Sequence, residues 1–512
     1  MLLLLISAVG LYFFYHLYWK RRGLPPGPTP WPILGNLPGL IKKAPGYEAI
    51  KDWKSEFGPV FTYWYGANPV VTINDYDILK DTVLADASAY TDRFIPSEIL
   101  RLYRGGEWGV IDTSGPLWTE HRRFALKTLR DFGMGKNLME EKVAYFPVPA
   151  LHFPALFQIQ TEIVALMDNL RAEGDQPIDL HSHLDLAVGG IINNTLLGHR
   201  FDESNMAEFR KLRHLLEEQS RVINKPSFLL LMLLPSMRRF PYLRDAWKTI
   251  MDCRDNLYAF LREQIISHER EIDLDREDDP TDICEAYLRE RKRRTDADGT
   301  EGLYSLKQLE NLLFDLWVGG LETTTGNLGW AAVFLIHHPE VQKRMREEMA
   351  TVVGKDGPIT TAHRSRLPYC GAVLMELQRL VNIVPLNLPR TTTRDVTIGG
   401  YSVSKGTAVM PQISAILYEE KIFPDPHSFK PDRFITEDGK LNNMDEWIPF
   451  SLGARRCPGE SLAKMELFLF LTNLIHNFEI SAESPDKIPS MVKTGATVSK
   501  PEKHLVKLTR MI

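Results

Sequence analysis

The stretch Phe450-Ser451-Leu452-Gly453-Ala454-Arg455-Arg456-Cys457-Pro458-Gly459 surrounds one of only four cysteines in a chain of 512 residues. Glycines lie four residues before and two residues after Cys457, with an arginine two residues before and an aromatic residue seven before. Gly453 and Gly459 lack a Cβ, so the backbone can turn sharply and lie close to a flat ligand. A lone cysteine is usually a small buried hydrophobe, but that interpretation leaves the spacing around Cys457 unexplained.

The pattern F-x-x-G-x-R-x-C-x-G resembles the haem-binding signature of the cytochrome P450 superfamily. The resemblance implies that Cys457 is the axial thiolate of haem b (iron protoporphyrin IX), a ligand that pushes electron density toward O–O cleavage. It also implies that Arg455 pairs with a haem propionate and that Phe450 shields the sulfur from water. Gly453 and Gly459 are then expected to line the cofactor. Backbone N–H groups and the start of the following helix should stabilise negative charge on the sulfur.

A second motif lies at the centre of a long helix predicted from Ser305 to His337, whose first four residues have the sequence of a capping box. This centre, residues 319–325 (GGLETTT), contains poor helix formers, and such a local conflict usually marks function or strain. It resembles the family's [AG]-G-x-[DE]-T-T segment, which crosses above the haem. The resemblance implies that Thr323 hydrogen-bonds to dioxygen and that Glu322 helps to relay protons. A core helix with incidental threonines is the alternative.

Three more positions resemble the family's contacts to the haem propionates. Trp118 and Arg122 are spaced by four residues, so they share one face of a predicted helix. Arg390, which follows two prolines, matches the third position. The resemblance therefore adds Trp118, Arg122 and Arg390 to the cofactor-binding set.

The helix that carries Trp118 also bears a basic stripe, which we define as Arg123, Lys127 and Arg130. Spacings of four and three place these cations on one helical face. A solvated helix face is the ordinary interpretation. The alternative is a docking surface for an acidic redox partner, because complementary charge steers association.

Glu376 and Arg379 form an E-x-x-R pair, which on its own carries little information because exposed pairs of this kind are common and weak. Downstream, Arg433 lies in a segment that resembles the family's P-E-R-F sequence, with Asp432 where Glu is commoner. By this resemblance Glu376, Arg379 and Arg433 form a buried charged cluster with a structural role.

Residues 1–19 are almost wholly apolar and are followed by Lys20-Arg21-Arg22. A run of this length just suffices to cross a bilayer, and the cations after it predict a cytosolic catalytic domain. A cleaved secretory signal is the competing interpretation. The basic and proline-rich residues 20–36 predict a semi-rigid hinge. Anchor and hinge together resemble microsomal family members, which implies a single-pass protein of the endoplasmic reticulum membrane with a cytosolic catalytic domain over residues 37–512.

The composition is that of an ordinary globular protein, with 44% hydrophobic and 25% charged residues. A net charge of −5 argues against a general nucleic-acid binder. The four cysteines include no C-x-x-C pair, so neither a zinc site nor a disulfide framework is indicated, and a reducing compartment is expected.

β-rich runs at Val60–Tyr65 and Pro69–Ile73 predict one hairpin, and residues 396–409 predict a second. The tail from Phe478 onward has the pattern of short strands and turns. The rest of the chain beyond Asp75 is mainly helical in pattern. The expected fold is therefore mainly α with small β-sheets (α+β), which the resemblance identifies as the cytochrome P450 fold, a single large catalytic domain behind an N-terminal transmembrane anchor.

Residues 144–160 do not fit this scheme, because they contain three prolines and no Lys, Arg, Asp or Glu. The prolines exclude a regular transmembrane helix. Two interpretations remain: an apolar loop that touches membrane, or a translated non-coding segment from a faulty gene model. A real insertion here could disturb the propionate-binding helix or the partner surface.

The resemblance implies a membrane-anchored haem-thiolate monooxygenase that inserts one oxygen atom of dioxygen into a hydrophobic small molecule, such as a xenobiotic, a fatty acid or a steroid-like lipid. Electrons would come from NADPH through a separate FAD/FMN reductase, with cytochrome b5 as a further candidate partner. Two alternatives stay open. A haem-thiolate isomerase or dehydratase would rearrange an oxygenated lipid without a reductase, and a haem carrier or sensor would not catalyse at all.

Overall fold

The computed structural model describes residues 2–17, 19–95, 98–133, 154–201, 204–354, 357–493 and 498–511. Most of these residues are helical. In chain order the helices are α1 (Leu2–Leu17), α2 (Leu37–Lys42), α3 (Tyr47–Phe57), α4 (Tyr76–Leu79), α5 (Glu98–Arg104), α6 (Gly115–Asp131), α7 (Pro154–Ala172), α8 (Leu180–Leu197), α9 (Met206–Ile223), α10 (Pro226–Leu233), α11 (Pro241–Glu271), α12 (Ile283–Asp298), α13 (Leu306–His337), α14 (Pro339–Val353), α15 (Pro368–Val381), α16 (Ile413–Leu417) and α17 (Glu460–Asn477). The strands are β1 (Val60–Tyr65), β2 (Asn68–Ile73), β3 (Asp92–Arg93), β4 (Arg390–Thr391), β5 (Val396–Ile398), β6 (Tyr401–Val403), β7 (Ala408–Pro411), β8 (Phe478–Ala482) and β9 (Val506–Arg510).

The described strands form one five-stranded sheet, in the order β1-β2-β7-β4-β3, and two hairpin-sized sheets, β5-β6 and β8-β9. β1 and β2 are antiparallel and pair Tyr65 with Asn68, whereas β2 and β7 run parallel. β3 and β4 are antiparallel and place Arg93 opposite Arg390. This pairing brings two arginines that are distant in sequence to one edge of the larger sheet.

The centre of the helical part is α13, which is buried along most of its length. Its first turn is capped by Ser305, whose hydroxyl accepts a hydrogen bond from the Gln308 N–H at 3.2 Å. Farther along, α8 packs so closely that a Cβ on Gly320 would lie 2.5 Å from the Cδ1 of Ile192. Gly320 is therefore required by helix packing, which accounts for one of the poor helix formers at the centre of α13.

The secondary structure confirms the predicted β1–β2 hairpin and the long helix α13. The second hydrogen bond of the predicted capping box, from the Ser305 N–H to the Gln308 side chain, is wrong. The Gln308 side chain bonds to the Gly109 backbone instead: Oε1 accepts from the N–H at 2.8 Å and Nε2 donates to the carbonyl at 3.1 Å. The second hairpin is shorter than predicted. β5 and β6 pair around Gly399 and Gly400, while Val409 belongs to β7 in the larger sheet.

Two sequence predictions meet the edges of the described structure. Residues 144–153 of the atypical segment lie outside the described residues, and residues 154–160 belong to the first two turns of α7, where Ile159 is fully buried. Residue 18 and Met1 are also outside the description, and α1 accounts for residues 2–17 of the predicted anchor. Among the described helices, none combines the length and apolarity needed to span a bilayer.

The predicted charged cluster is present and buried. Glu376 binds Arg379 through both carboxylate oxygens, at 2.8 and 2.9 Å, and its Oε1 also accepts from the Nε of Arg433 at 3.0 Å. The guanidinium of Arg379 donates in addition to the carbonyls of Leu417 and Pro426. The cluster therefore ties α15 to the segment that precedes the cysteine loop, as predicted.

Replacing Arg379 by leucine should lower the free energy of unfolding by roughly 3–5 kcal/mol, because it removes the bidentate partner of the buried Glu376 carboxylate and leaves that group with Arg433 alone of its two arginines. Glu290 and Arg293 supply a matched E-x-x-R pair at 2.8 Å in which the arginine side chain is 65% exposed. Arg293→Leu should therefore cause little change. Denaturant titration of both variants measures the two losses, and equal losses would contradict the structural role assigned to the buried cluster.

Candidate active site

The cysteine loop has a fixed backbone conformation. The N–H of Cys457 donates to the Phe450 carbonyl at 3.0 Å, which closes the loop. Gly453 has φ +70°, and a Cβ there would lie 2.6 Å from the Val83 carbonyl oxygen. Any other residue at 453 would therefore be strained and would collide with backbone. By contrast, a Cβ on Gly459 would meet no protein atom within 4 Å, so the packing of the described residues does not explain this glycine.

Cys457 leads into α17, whose first residue is Glu460. Part of the Cys457 side chain is exposed to solvent. Protein atoms nevertheless surround the thiol densely, and this burial raises its pKa. A backbone hydrogen bond from Gly459 lowers this pKa, in the predicted direction, and the charges of Arg122 and Arg456 lower it too. Burial, the largest effect, and the charge of Glu460 outweigh them. The loop alone thus favours the thiol, and a coordinated metal ion is what makes a cysteine a thiolate outright.

Four guanidinium groups gather beside the cysteine loop. We call Arg93, Arg122, Arg390 and Arg455 the guanidinium cluster. Burial lowers the pKa of all four. Repulsion by neighbouring members of the cluster lowers the pKa of Arg93, Arg390 and Arg455 further. The pKa falls to about 10 for Arg93, about 9 for Arg390 and about 8 for Arg455. Among the described residues none of the four forms an ion pair with a carboxylate. The cluster is therefore unfavourable unless an anion joins it.

The buried donors of this cluster are only partly used. Arg390 donates through Nη2 to Ser451 Oγ at 3.1 Å and to the Leu452 carbonyl at 2.7 Å, but its Nε and Nη1 have no partner in the described part of the chain. The indole Nε1 of Trp118 is likewise buried and unpaired there. Unpaired buried donors are costly, so they indicate a ligand with acceptor oxygens.

Arg455 has a different environment from the one expected for a propionate ligand. It donates to the carbonyls of Thr91 (2.6 Å), Val110 (3.3 Å) and Thr113, and its guanidinium lies 3.9 Å from the centroid of the Trp118 ring. These bonds use three of its five N–H groups, and they fix Arg455 as the link between the cysteine loop and α6. Its predicted contact to a propionate stays a prediction.

Arg122 joins the same group from α6. Its Nη2 donates to the carbonyl of Arg456, so it bridges α6 and the residue immediately before Cys457. Trp118, one turn earlier on α6, is buried. The structure thus brings together Trp118, Arg122, Arg390 and Arg455, four of the residues predicted from sequence to bind a propionate-bearing cofactor.

Haem b fits this donor set. Its two propionates would supply the anions that the guanidinium cluster lacks, accepting from the free Arg390 donors and the Trp118 indole. The space beside Gly459 and Gly319, where a Cβ would meet no protein atom within 4 Å, leaves room for its flat ring.

The α13 motif contacts the helix that follows Cys457. Thr324 Oγ1 donates to Glu466 Oε2 at 3.3 Å, and Glu466 lies on α17. Burial raises the pKa of Glu466 to about 8, so this carboxyl is neutral at pH 7. Thr323 is half-buried and donates to the Gly319 carbonyl at 2.7 Å. Glu322 turns toward α9, where Arg213 Nη1 contacts its Oε1 at 3.1 Å.

The family model of cytochrome P450 matches residues 25–508 of the chain. Cytochrome P450 2C16 of Oryctolagus cuniculus is 33% identical over 469 residues, which cover 91% of this chain and 90% of the relative. Cytochrome P450 2H1 of Gallus gallus is 33% identical over 461 residues, covering 90% and 88% of the two chains. Cytochrome P450 2C8 of Homo sapiens is 31% identical over 500 residues, covering 97% and 95%.

The chain belongs to the cytochrome P450 family. This P450 is therefore a monooxygenase with a haem-thiolate cofactor held by an axial cysteine, and the resemblance to the animal branch is confirmed. Its substrate is a small molecule, and dioxygen and redox partners are implied with it.

Two residues of the P450 site were missed by sequence reasoning. Arg93 belongs to no recognisable sequence motif. Only its pairing with Arg390 between β3 and β4 shows that it lies at the site. Glu466 had a visible signal, because it is a lone acid inside the apolar run Met465-Glu466-Leu467-Phe468. An acid at such a position is buried, and a buried acid requires a partner or a proton.

Replacing Arg390 by leucine should weaken haem retention in the P450, because it removes a buried cation whose unpaired donors face the candidate site. The loss of one charge-assisted hydrogen bond corresponds to roughly tenfold faster haem loss. Transfer of haem to an excess of apomyoglobin measures this rate. Arg101→Leu is the matched control, since Arg101 is 58% exposed and pairs with Glu107. Equal rates for both variants would contradict the propionate assignment.

Glu466→Gln should flatten the pH dependence of stability. The unfolded Glu466 carboxyl ionises near its ordinary pKa, whereas the folded one keeps its proton up to about pH 8. The unfolded state therefore binds fewer protons between these values, and wild-type stability falls as pH rises through this window. Glutamine resembles the protonated acid and does not titrate. Denaturant titrations at pH 5.5, 6.5 and 7.5 measure the difference, and identical slopes for the two proteins would contradict the assignment of a neutral Glu466.

Proposed function

We propose that this P450 is a membrane-anchored haem-thiolate monooxygenase that inserts one oxygen atom of dioxygen into a hydrophobic small molecule. The observation that carries the proposal is the guanidinium cluster with its unpaired donors beside Cys457. In this proposal Cys457 is the metal ligand. The propionates are bound by the residues that the sequence predicted, Trp118, Arg122, Arg390 and Arg455, and by Arg93 in addition. When bound, the haem supplies the oxidation chemistry, with the second oxygen atom of dioxygen leaving as water.

Phe450 is the residue proposed to shield the Cys457 sulfur from water. Phe450 is half-buried and lies edge-on to Trp447, with ring centroids 6.2 Å apart, and Lys464 Nζ lies 5.5 Å from the Phe450 ring centroid. These contacts support the proposal that Phe450 shields Cys457. Gly453 and Gly459 allow the loop to lie against a flat ring, the first by its left-handed backbone and the second by its lack of a side chain.

Thr323 is the proposed distal hydroxyl. A hydroxyl has one donor and two acceptor positions, and the Thr323 proton is held on the Gly319 carbonyl. Rotation of this hydroxyl can direct the proton toward a ligand beside Gly319. Glu322 is the adjacent acid that would resupply a proton to this side of α13.

The basic stripe supports docking of an acidic reductase. Arg123, Lys127 and Arg130 are exposed on α6, the helix whose other face carries Trp118 and Arg122. A partner bound there is close to the proposed propionate contacts. We therefore propose that an NADPH-dependent FAD/FMN reductase, and cytochrome b5 as a second donor, dock on this face through charge complementarity.

Residues 1–19 are the proposed anchor in the endoplasmic reticulum membrane, followed by the hinge 20–36 and a cytosolic catalytic domain from residue 37. Exposed apolar side chains within the hinge support a membrane-facing surface. Trp31 is 66% exposed and Ile33 is 50% exposed, while Lys20 Nζ binds the Ala67 carbonyl at 2.6 Å. Lys20, the first cation after the anchor, is thereby held at the β1–β2 turn.

A reconstituted assay tests the function. Purified P450 with the flavoprotein reductase, NADPH and dioxygen should hydroxylate members of a panel of fatty acids, steroids and drugs. Omission of NADPH should abolish the product. Turnover of an oxygenated lipid without NADPH would instead show an isomerase or dehydratase. Haem binding with no turnover of any panel member would favour a carrier or sensor.

Thr323→Ala should raise hydrogen peroxide release relative to product by roughly tenfold, because a positioned proton donor typically contributes a factor of this size or more. Oxygen electrode and peroxide measurements at fixed NADPH consumption give the ratio. Thr295→Ala on α12 is the matched control, since its hydroxyl also bonds to the carbonyl four residues before it, at 3.0 Å. An unchanged ratio in Thr323→Ala would remove Thr323 from the mechanism.

A further inference from the structure

The Glu322 carboxylate is held by cations from two separate parts of the chain. Arg213 on α9 reaches Oε1 through Nη1 at 3.1 Å, and Lys500 contacts Oε2. Lys500 belongs to the segment between residue 498 and β9. Ser499 is anchored there, because its N–H donates to the Ile383 carbonyl at 2.8 Å and its own carbonyl accepts from Trp330 Nε1 at 3.0 Å. The Lys500 backbone is therefore fixed relative to α13.

Arg213 also forms ion pairs with two further carboxylates. Arg213 Nη2 lies 2.5 Å from Asp185 Oδ2 on α8 and 3.4 Å from Glu217 Oε1 on α9. Exposure rises along this series, from 5% for the Asp185 side chain through 14% for Arg213 to 46% for Glu217. The network thus runs from the buried α8–α13 contact to solvent, with Glu322 as its member on α13.

The two cations decide where Glu322 points. Consecutive residues on a helix are rotated by about 100°, so Glu322 and Thr323 lie on different faces of α13. Arg213 and Lys500 hold the carboxylate on the face toward α8 and α9, while the Thr323 hydroxyl is bonded along the helix to Gly319. A carboxylate that is only 15% exposed needs such partners, because a buried charge without them is strongly unfavourable.

We propose that Arg213 and Lys500 are positioning residues that set the orientation of Glu322 and thereby its supply of protons to the Thr323 side of α13. The inference rests on the proposed function, in which Glu322 is the acid of the proton relay. Because one cation is on α9 and the other is in the C-terminal segment, a shift of either element relative to α13 changes the contacts of Glu322. Proton supply is thus coupled to the position of α9.

Methionine variants of the two cations test the proposal. Arg213→Met and Lys500→Met should each raise the ratio of peroxide to product by roughly three- to tenfold, as expected for the loss of one charge-assisted hydrogen bond. Arg213→Lys, which keeps the charge, should recover part of the coupling. Arg210→Met on α9 and Lys503→Met in the C-terminal segment are matched controls, because both side chains are exposed and contact neither Glu322 nor Asp185. Ratios equal to wild type in both methionine variants would overturn the proposal.

A second readout does not depend on turnover. In a double-mutant cycle on denaturant unfolding, Arg213→Met and Glu322→Gln should be non-additive, with the double variant losing less stability than the sum of the single variants. Additive losses would show that the pair does not interact and would overturn the inference. If wild-type protein forms no NADPH-dependent product, the proposed function fails, whereas the cycle still reports whether Arg213 holds Glu322.

Discussion

Repulsion among the buried guanidinium groups is the constraint on which the rest of the site depends. Arg93 and Arg390 are locked opposite each other by the β3–β4 register, and Arg455 is fixed by carbonyls of the segment before α6. No member can leave without breaking backbone contacts. An anion in this space would relieve the repulsion, so the arrangement favours a carboxylate-bearing ligand.

A second charged cluster and two hydrogen bonds fix the position of Cys457. The Glu376–Arg379–Arg433 cluster holds the chain that approaches the loop, and the Cys457 N–H to Phe450 carbonyl bond closes it. On the far side of α17, the Thr324–Glu466 contact joins the loop's helix to α13. A neutral Glu466 suits this role, because a protonated carboxyl can lie between two packed helices without a counter-ion. The cysteine loop and the α13 motif are thus parts of one packed unit.

Local patterns predicted the elements that depend on local physics. β-rich runs on either side of Gly66-Ala67 predicted the β1–β2 hairpin, and a capping-box sequence that begins at Ser305 marked the start of α13. Spacing within one helix also placed Trp118 and Arg122 correctly on a single face. The family motif identified Cys457, Thr323 and Glu322 as candidates, and their roles in chemistry remain proposals.

What sequence reasoning missed depends on long-range contacts. Arg93 joins the site only because β3 pairs it with Arg390, and the Gln308 side chain bonds to Gly109 rather than capping its own helix. Arg213 and Lys500 lie in segments without a recognisable motif, yet both contact Glu322. Such contacts are set by tertiary packing, so neither local periodicity nor capping rules can predict them.

The most direct test of the central claim is the absorption spectrum of the reduced, carbon-monoxide-bound protein in wild-type and Cys457→Ser forms. The wild type should show the strongly red-shifted Soret band of a thiolate-ligated haem, and the variant should lack it while the fold is retained. A thiolate-type spectrum in the variant, or a haem-loaded wild type without that band, would contradict the assignment of Cys457 as the metal ligand.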